Sequence, residues 1–358
     1  MLKPQCNDVP RRKKPSLVAL NHPFFTTCLP DATGFAVGVS GGADSMALLH
    51  LLSCWRESLG SQGPVIHALI VDHGLRAESA TEAAQVATQI AAWPHVRPYV
   101  LTWTKPFKPA AKIQEAARLA RHALLAQFCR DHDLDVLCLG HHADDQCETF
   151  LMRLAAGSGL DGLGGMHDVA PALDGDDIRI LRPLLDATHA DLVAYCHSHA
   201  VAWIEDPSNS NPAFARVRLR AAQDILAREG LSAERIGQTA KRLQRAREAL
   251  DWAVAQWWEH HTHTTGNDIA LDLNLLRTVP FDMQLRVTLR AVGLMVPDKP
   301  YPARLEALER LLPDLLARNT PGSLAYAGCL LHVRPKTGQL TVCREKNLSD
   351  HQSANVST

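Results

Sequence analysis

The sequence predicts an α/β protein in which a mostly parallel sheet comes first and a smaller, mainly helical C-terminal domain with a short β element follows. Two observations lead to this prediction. Short apolar runs alternate with amphipathic helical patterns between residues 35 and 154, and such alternation favours parallel strands with helices on both faces of the sheet. Beyond residue 216 the pattern is helical and basic, until a few strand-like runs appear near the end.

Four strand–helix units make up the first domain. The predicted strands are short and apolar, as buried strands are, and comprise residues 35–39, 65–71, 99–103 and 135–139. The predicted helices follow them, with apolar residues at helical spacing, over residues 45–55, 78–93, 113–131 and 144–154. In a Rossmann-like sheet of this kind, ligands bind beyond the carboxyl ends of the strands. The polar residues that follow these strands are therefore the first candidates for a site.

The strand–helix pattern ends near a helix at residues 190–198, and a turn-rich break with two prolines follows at 205–212. Residues 216–250 then carry nine Arg or Lys against four Asp or Glu. Strand-like runs at residues 323–326, 330–333 and 339–343 predict a small terminal sheet or hairpin. The expected organisation is an N-terminal extension (1–34), a first domain (35–215), a second domain with basic helices (216–346) and a disordered tail (347–358).

Composition excludes several classes of protein. The chain has 358 residues, of which 46% are hydrophobic and 21% charged, values of a globular protein rather than a disordered one. The net charge is −1, so a nucleic-acid partner would have to bind a local basic patch. No apolar run is long enough to span a membrane or to form a signal peptide, and we expect a cytoplasmic protein that does not associate with membranes. Nine cysteines without a Cys-x-x-Cys pair disfavour zinc fingers, redox dithiols and a disulfide framework.

A glycine-rich loop, Ser40-Gly41-Gly42-Ala43-Asp44-Ser45, joins the first predicted strand to the first helix. The glycines permit positive φ and close approach of a ligand, and successive N–H groups at a helix N-terminus bind anions. Asp44 would repel a phosphate unless Mg²⁺ lay between them. The alternative is a common strand–helix turn in which Asp44 only caps the helix.

A second polar segment, His141-His-Ala-Asp-Asp-Gln-Cys-Glu148, follows the fourth strand. Its histidines and acids suggest either a metal site or a capped helix start with structural histidines. Asp145 and Glu148 are three residues apart and share one face of the first helical turn. These carboxylates, expected above the same sheet edge as Asp44, could hold Mg²⁺ or an amine substrate.

The loop is similar to the pyrophosphate-binding loop of the N-type ATP pyrophosphatases, the PP-loop superfamily, and further motifs make the resemblance more specific. Together they resemble the tRNA(Ile)-lysidine synthase family over about residues 35–220, whereas the chain after Ala221 fits only by position and composition. The further motifs, in chain order, are Asp72-His-Gly-Leu-Arg76, Ile113-Gln-Glu-Ala-Ala-Arg118, His141-His-x-Asp-Asp-x-x-Glu148 with Thr149, Gly157-Ser-Gly-Leu160, Arg182-Pro-Leu-Leu185, Glu205-Asp-Pro-Ser-Asn209 and Phe214-x-Arg-x-Arg-x-Arg220.

The resemblance implies an ATP-dependent ligase. ATP would adenylate C2 of the wobble cytidine in the CAU anticodon of tRNA(Ile), with release of pyrophosphate. The ε-amine of free lysine would then displace AMP and form lysidine. The implied cofactors are ATP, as a substrate, and Mg²⁺. The implied partners are tRNA(Ile) and free L-lysine, and no partner protein is expected.

The resemblance also implies roles for individual residues. ATP binding is expected from Ser40, Gly41, Gly42, Ala43, Asp44 and Ser45. Catalysis is expected from Asp44, Asp145, Glu148 and Arg118, with Asp44 and Asp145 as Mg²⁺ ligands and Asp145 and Glu148 as the lysine-binding carboxylates. Arg118 would bind phosphate or the adenylate. The alternative is that it is only a solvent-exposed residue of its helix.

A tRNA contact is expected from Arg216, Arg218 and Arg220. Because they alternate along the chain, they would share one side of an extended segment. The alternative is a solvated basic helix face. If the contact exists, the second domain presents its basic helices to the tRNA.

Two rival functions differ in chemistry. A PP-loop tRNA thiolase of the 2-thiocytidine type would work through cysteines, and Cys138 and Cys147, nine residues apart, lack the usual pairing. A non-catalytic nucleotide- or tRNA-binding module is disfavoured by the intact loop with Asp44 and both serines.

Overall fold

The computed structural model describes residues 33–74, 78–104, 113–171, 178–205, 215–265, 268–297 and 305–345. The chain divides into two compact units, one ending at Gln244 and the other beginning at Arg245. Nearly all of the expected N-terminal extension, the expected tail, Arg76 and the turn-rich residues 206–212 lie outside the described residues. The domain boundary expected at residue 216 stays a prediction.

A six-stranded sheet forms the centre of the first unit. Its strands are β1 (Gly34–Val39), β2 (Val65–Asp72), β3 (Val96–Thr102), β4 (Val136–Leu139), β5 (Val169–Pro171) and β6 (Arg179–Leu181). Their order is β3-β2-β1-β4-β6-β5, and every neighbouring pair is parallel except β5 with β6. The predicted mostly parallel sheet is confirmed.

Helices cover both faces of this sheet, as predicted. The helices that pack on it are α1 (Ala43–Ser58), α2 (Ser79–Ile90), α3 (Ile113–Asp131) and α6 (His189–Ser198). The other helices up to residue 261 are α4 (Ala143–Ala155), α5 (Leu160–Leu163), α7 (Ala215–Arg228) and α8 (Ala233–His261), the last of which continues into the second unit. Phe35 and Val37 of β1 pack in one apolar cluster with α1, α2 and α6. Ala36, which lies between them, packs in another cluster with α3, because successive side chains of a strand point to opposite faces.

The pairing of β1 with β4 brings the two predicted polar segments together. The strands are parallel, with Gly38 opposite Leu139, so the loops that follow them emerge at the same sheet edge. Gly140 makes the close approach possible. A Cβ at this position would lie 3.1 Å from Ser45 Cα and 3.2 Å from the Asp44 carbonyl oxygen, and any side chain would push the two segments apart.

The second unit corrects the prediction of a mainly helical domain with a short β element. Its described residues form a five-stranded, entirely antiparallel sheet in the order β7-β8-β11-β10-β9. Its elements are β7 (Thr262–Thr265), β8 (Asp268–Asp272), α9 (Leu273–Leu276), α10 (Phe281–Met295), α11 (Leu305–Leu316), β9 (Gly322–Tyr326), β10 (Cys329–Arg334) and β11 (Gln339–Arg344). The three terminal strands follow the predicted runs. The sequence does not predict β7, because Thr-His-Thr-Thr shows no apolar alternation. It does not predict β8 either, because a short apolar run within a helical region cannot be told from a helix by periodicity.

The core of this unit lies between the sheet and helices that include α10 and α11. Leu331 and Val333 of β10 pack with Leu285 of α10 and with Leu308 and Leu312 of α11. No helix among the described residues has the length and apolarity needed to cross a membrane. The cytoplasmic location stays a prediction.

Candidate active site

The glycine-rich loop forms a tight turn between β1 and α1. Gly41 has φ of 84°, a left-handed conformation that favours glycine, and a Cβ there would lie 2.8 Å from a methyl carbon of Val86. No described side chain caps the N-terminus of α1 with a hydrogen bond. The first-turn N–H groups of this helix therefore face the sheet edge as an anion-binding surface.

The two serine side chains of the loop are hydrogen-bonded to each other. Their hydroxyls share a hydrogen bond of 3.1 Å between Ser40 Oγ and Ser45 Oγ. Ser45 Oγ also donates to the Gly42 carbonyl at 3.0 Å and accepts from Ser40 N–H at 3.1 Å. These bonds hold the loop in its turn before any ligand arrives.

Asp44 lies between two imidazoles. Nδ1 of His189 donates to one carboxylate oxygen at 2.7 Å, and Nε2 of His142 lies 3.5 Å from the other. Burial acts to raise the pKa of Asp44, but the hydrogen bonds with both histidines outweigh it and hold the pKa well below its usual range. The same contact raises the pKa of His189. One donor atom from each of the three residues lies within 4.8 Å of the others, a spacing that can hold a cation.

Asp145 lies near the same nitrogen of His142 as Asp44 does. Its carboxylate accepts from the His142 backbone N–H at 3.2 Å and lies 3.5 Å from His142 Nε2, which makes it half of a capping box at the start of α4. Nδ1 of His142 accepts from the Asp144 N–H at 3.2 Å when it is unprotonated. It faces the Asp144 carboxylate at 3.4 Å when it is protonated. Burial acts to lower the pKa of His142, but the neighbouring Asp144 and Asp44 raise it to about 10. The capped helix start that the sequence suggested is present through the Asp145 carboxylate, which accepts from the His142 N–H whatever the protonation state of the imidazole.

We define Asp44, Asp145, His142 and His189 as the acid–histidine network. Asp44 and Asp145 were predicted from motifs far apart in the chain, and the fold places both carboxylates beside the imidazole of His142. Sequence reasoning missed His189, which begins α6 and also donates its backbone N–H to Asp144 at 2.7 Å. Its sequence signal is weak, because a lone histidine after a Thr cap resembles any helix start.

Glu148 pairs with an arginine rather than with a histidine of this network. Its side chain is 1% exposed and accepts from both Nε and Nη2 of Arg220 at 2.8 Å on a single oxygen, Oε1. The other oxygen, Oε2, is buried without a hydrogen-bond partner in the described residues. Burial raises the pKa of Glu148, although Arg220 opposes the shift.

Four arginines lie near enough to His141 to act on its charge. They come from two helices and a loop and are Arg118 and Arg121 of α3, Arg182 after β6, and Arg216 of α7. Burial, and then the charge of these arginines, lower the pKa of His141 to about 3, so the imidazole is neutral. We call these five residues the arginine cluster. Arg118, a predicted catalytic residue, is exposed at its edge.

The three arginines predicted to bind tRNA do not share one side. Residues 215–228 form a helix, α7, rather than an extended segment, so Arg216 and Arg220 share a face and Arg218 lies on another. Arg216 belongs to the arginine cluster, Arg220 pairs with Glu148, and Arg218 is exposed.

The cysteines near the site are poorly suited to sulfur transfer. Cys138 and Cys147 are 0% and 1% exposed. Burial raises the pKa of both thiols, that of Cys147 to about 11. Because the thiolate is the nucleophile, neither group is activated.

The geometry as a whole offers an anion-binding loop and a carboxylate–imidazole centre at one sheet edge, together with a cluster of arginines. A family model described as a PP-loop domain matches residues 17–225. Relatives over most of the chain are all named tRNA(Ile)-lysidine synthase. One from Ruegeria pomeroyi is 37% identical over 86% of this chain and 70% of its own length. One from Methylobacterium nodulans is 39% identical over 84% of this chain and 88% of its own. One from Wolbachia pipientis wMel is 32% identical over 90% of this chain and 73% of its own.

Proposed function

The chain belongs to the tRNA(Ile)-lysidine synthase family of PP-loop proteins, and from this premise we propose how its own residues carry out the reaction. The enzyme is an ATP-dependent ligase that joins free L-lysine to C2 of the wobble cytidine of CAU-anticodon tRNA(Ile). In the first step the C2 oxygen bonds to the α-phosphorus of ATP, and pyrophosphate leaves. In the second the lysine ε-nitrogen bonds to C2, the C2–O bond breaks, AMP leaves and the amine loses its proton.

The glycine-rich loop binds the triphosphate. The uncapped N–H groups of α1 and the left-handed Gly41 suit an anionic ligand, since helix N-termini favour negative charge. The observation that carries the proposal is the position of Asp44 at the N-terminus of α1. A carboxylate beside an anion-binding site implies that a cation lies between the protein and the phosphate.

Asp44 and Asp145 would hold Mg²⁺. Both carboxylates lie 3.5 Å from the same nitrogen of His142, so their oxygens can converge on one hard cation, for which carboxylates are the preferred ligands. When bound, Mg²⁺ would neutralise charge that develops on the departing pyrophosphate. His142 and His189 hold the carboxylates in place and keep Asp44 ionised.

Glu148 and Asp145 would bind the lysine amine. The unpartnered Oε2 of Glu148 can accept from an ammonium group, and its raised pKa suits a group that takes a proton from that amine.

Arg118, at the exposed edge of the arginine cluster, would contact phosphate of the adenylate. Arg218 would bind the tRNA backbone from the exposed side of α7, while Arg216 and Arg220 act at the site itself.

The test is transfer of labelled lysine to RNA. The full-length protein is incubated with radiolabelled lysine, ATP, Mg²⁺ and a tRNA(Ile) transcript with a CAU anticodon, and a transcript with uridine at the wobble position is the control. We expect ATP-dependent label only in the cytidine transcript. No label, with a sulfur mass gain in the tRNA when sulfide is supplied, would replace the ligase with a thiolase. ATP binding with neither product would leave only a binding module.

A further inference from the structure

Two imidazoles and one carboxylate meet where three helices begin. Asp44 lies in the first turn of α1, His142 caps α4 and His189 is the first residue of α6. Nδ1 of His189 lies 2.7 Å from one oxygen of Asp44, and Nε2 of His142 lies 3.5 Å from the other. One donor atom from each residue lies within 4.8 Å of the other two. Ligands about 2.0–2.1 Å from a tetrahedral metal ion are roughly 3.3 Å from one another, and the separations in the structure lie on both sides of this value.

A further carboxylate, that of Asp144, supports both imidazoles. One of its oxygens lies 3.4 Å from Nδ1 of His142, the ring nitrogen that is not beside Asp44. The same carboxylate accepts the backbone N–H of His189 at 2.7 Å. Histidines that bind metal ions usually have their second ring nitrogen hydrogen-bonded in this way, which fixes the tautomer and the orientation of the ring. With a metal ion on Nε2 of His142, the remaining ring proton would lie on Nδ1, where Asp144 can accept it.

The kind of donor atom decides which metal ion this arrangement suits. Mg²⁺ prefers oxygen ligands in octahedral geometry, whereas imidazole nitrogens together with a carboxylate are ligands of Zn²⁺ and related transition metals. The side chains of His189 and Asp44 are 54% and 27% exposed, so solvent can reach the position between them. Three protein ligands and one water molecule would complete a four-coordinate site.

We propose that Asp44, His142 and His189 form a binding site for Zn²⁺, occupied when no ATP is bound. The ligands are an oxygen of Asp44, Nε2 of His142 and Nδ1 of His189. The ion replaces the direct contacts between the carboxylate and the two imidazoles, and Asp144 keeps its place behind them.

The site shares one ligand with the proposed reaction. The proposed function places Mg²⁺ on Asp44 and Asp145, beside the triphosphate, and leaves the imidazoles outside the coordination of that ion. Because Asp44 serves both metal ions, Zn²⁺ and Mg²⁺-bound ATP exclude each other, and Zn²⁺ acts as an inhibitor that competes with ATP. This exclusion rests on the proposed function, whereas binding of Zn²⁺ to the protein alone does not.

The experiment uses Co²⁺, which takes the place of Zn²⁺ in proteins and absorbs visible light. The full-length protein is titrated with Co²⁺ in the absence of ATP, lysine and tRNA. We expect one equivalent to produce the intense visible band of a four-coordinate ion, without the near-ultraviolet charge-transfer band of a thiolate ligand, and Zn²⁺ to abolish it. His189→Ala should weaken binding at least tenfold, about 1.4 kcal/mol. His197→Ala, exposed in the last turn of the same helix, is the matched control and should bind as wild type does.

A second measurement tests the exclusion. ATP, with Mg²⁺ in excess over it, should remove the visible band from the wild-type protein, while equilibrium dialysis with labelled ATP shows that the nucleotide is bound.

Two results would overturn the metal site. The wild-type protein might give no four-coordinate band, a result that depends on no variant folding and would reduce the contacts of Asp44 to ion pairs. His189→Ala might keep the band at wild-type affinity, which would place the ion elsewhere. ATP that binds and leaves the band in place would overturn the exclusion. Failure of ATP to bind would remove the exclusion together with the proposed function and leave the metal site standing, so the two failures are distinguishable.

Discussion

The two sides of the candidate site satisfy their polar groups in different ways. In the acid–histidine network, Asp44 has a histidine at each carboxylate oxygen and Asp145 caps its own helix. In the arginine cluster, His141 and Arg182 keep buried atoms without partners, and Arg121 has no acid among the described residues.

This difference indicates how each side meets its ligand. A cation that enters the acid–histidine network has to displace an imidazole from a carboxylate, so binding exchanges one set of partners for another. An anion that enters the arginine cluster displaces only water and completes bonds that the protein leaves open. The first side is therefore expected to depend strongly on single groups, and the second to show graded effects on substrate affinity.

The largest effect is expected from Asp44→Asn. The amide keeps the shape and one acceptor but loses the charge that both histidines and a metal ion require. Lysidine formation should fall by at least about a hundredfold, the scale seen when a group that stabilises developing charge is removed. Steady-state lysine transfer checks this, with Asp131→Asn at the exposed end of α3 as the control. Turnover within a few-fold of wild type would mean that Asp44 is only a capping residue.

A smaller effect is expected from separating Arg220 and Glu148. Arg220→Gln leaves a carboxylate that is 1% exposed without its cation, which should lower the free energy of unfolding by about 2 kcal/mol. That is below the range for fully buried pairs, because Arg220 is itself 45% exposed. The double variant Arg220→Gln with Glu148→Gln should recover most of the loss in urea denaturation. If the two changes were additive, the ion pair would not account for the burial of Glu148.

The neutral state of His141 predicts a dependence of stability on pH. The folded pKa of about 3 lies below that of an unfolded histidine, about 6.5, so the unfolded chain binds the extra proton between these values. Stability is unaffected by this group above pH 6.5 and falls as the pH drops toward 3, by up to about 1.4 kcal/mol per pH unit. His141→Asn should lose less stability than wild type between pH 6.5 and 4.5. Parallel curves for the two proteins would show that His141 does not stay neutral.

Much of the fold and part of the site follow from local sequence patterns. The strand–loop–helix turn at Ser40–Ser45 can be recognised from six adjacent residues, and the capping box of Asp145 spans only four, from His142 to Asp145. The first sheet was predictable because buried strands and amphipathic helices alternate clearly. In the second unit, the short strands β7 and β8 extend the sheet beyond β11, one of the predicted terminal strands. These two segments are strands because they pair with that sheet, which their own sequence does not reveal.

The remaining site residues are defined by contacts distant in sequence. His189 lies 145 residues from Asp44, and Arg220 lies 72 residues from Glu148. No local spacing encodes such pairs. The alternation of Arg216, Arg218 and Arg220 suggested a shared side only for an extended chain, and the helix reverses that conclusion. The role of Gly140 could not be predicted either, because it depends on close contact with the backbone of Asp44 and Ser45, about a hundred residues earlier in the chain.

The smallest effect is expected where α7 turns Arg218 away from the site. Arg218→Gln should weaken binding of tRNA only modestly and lower the slope of log affinity against log salt by less than about one unit, the share of a single phosphate contact. Turnover at saturating tRNA should not change. Arg216→Gln, in the arginine cluster two residues away, should instead reduce turnover and leave the salt slope nearly intact. Filter binding at several salt concentrations, beside single-turnover lysine transfer, separates the two arginines. Equal salt slopes for wild type and Arg218→Gln would remove Arg218 from the tRNA surface, and matching behaviour of the two variants would mean that the helix does not divide their roles.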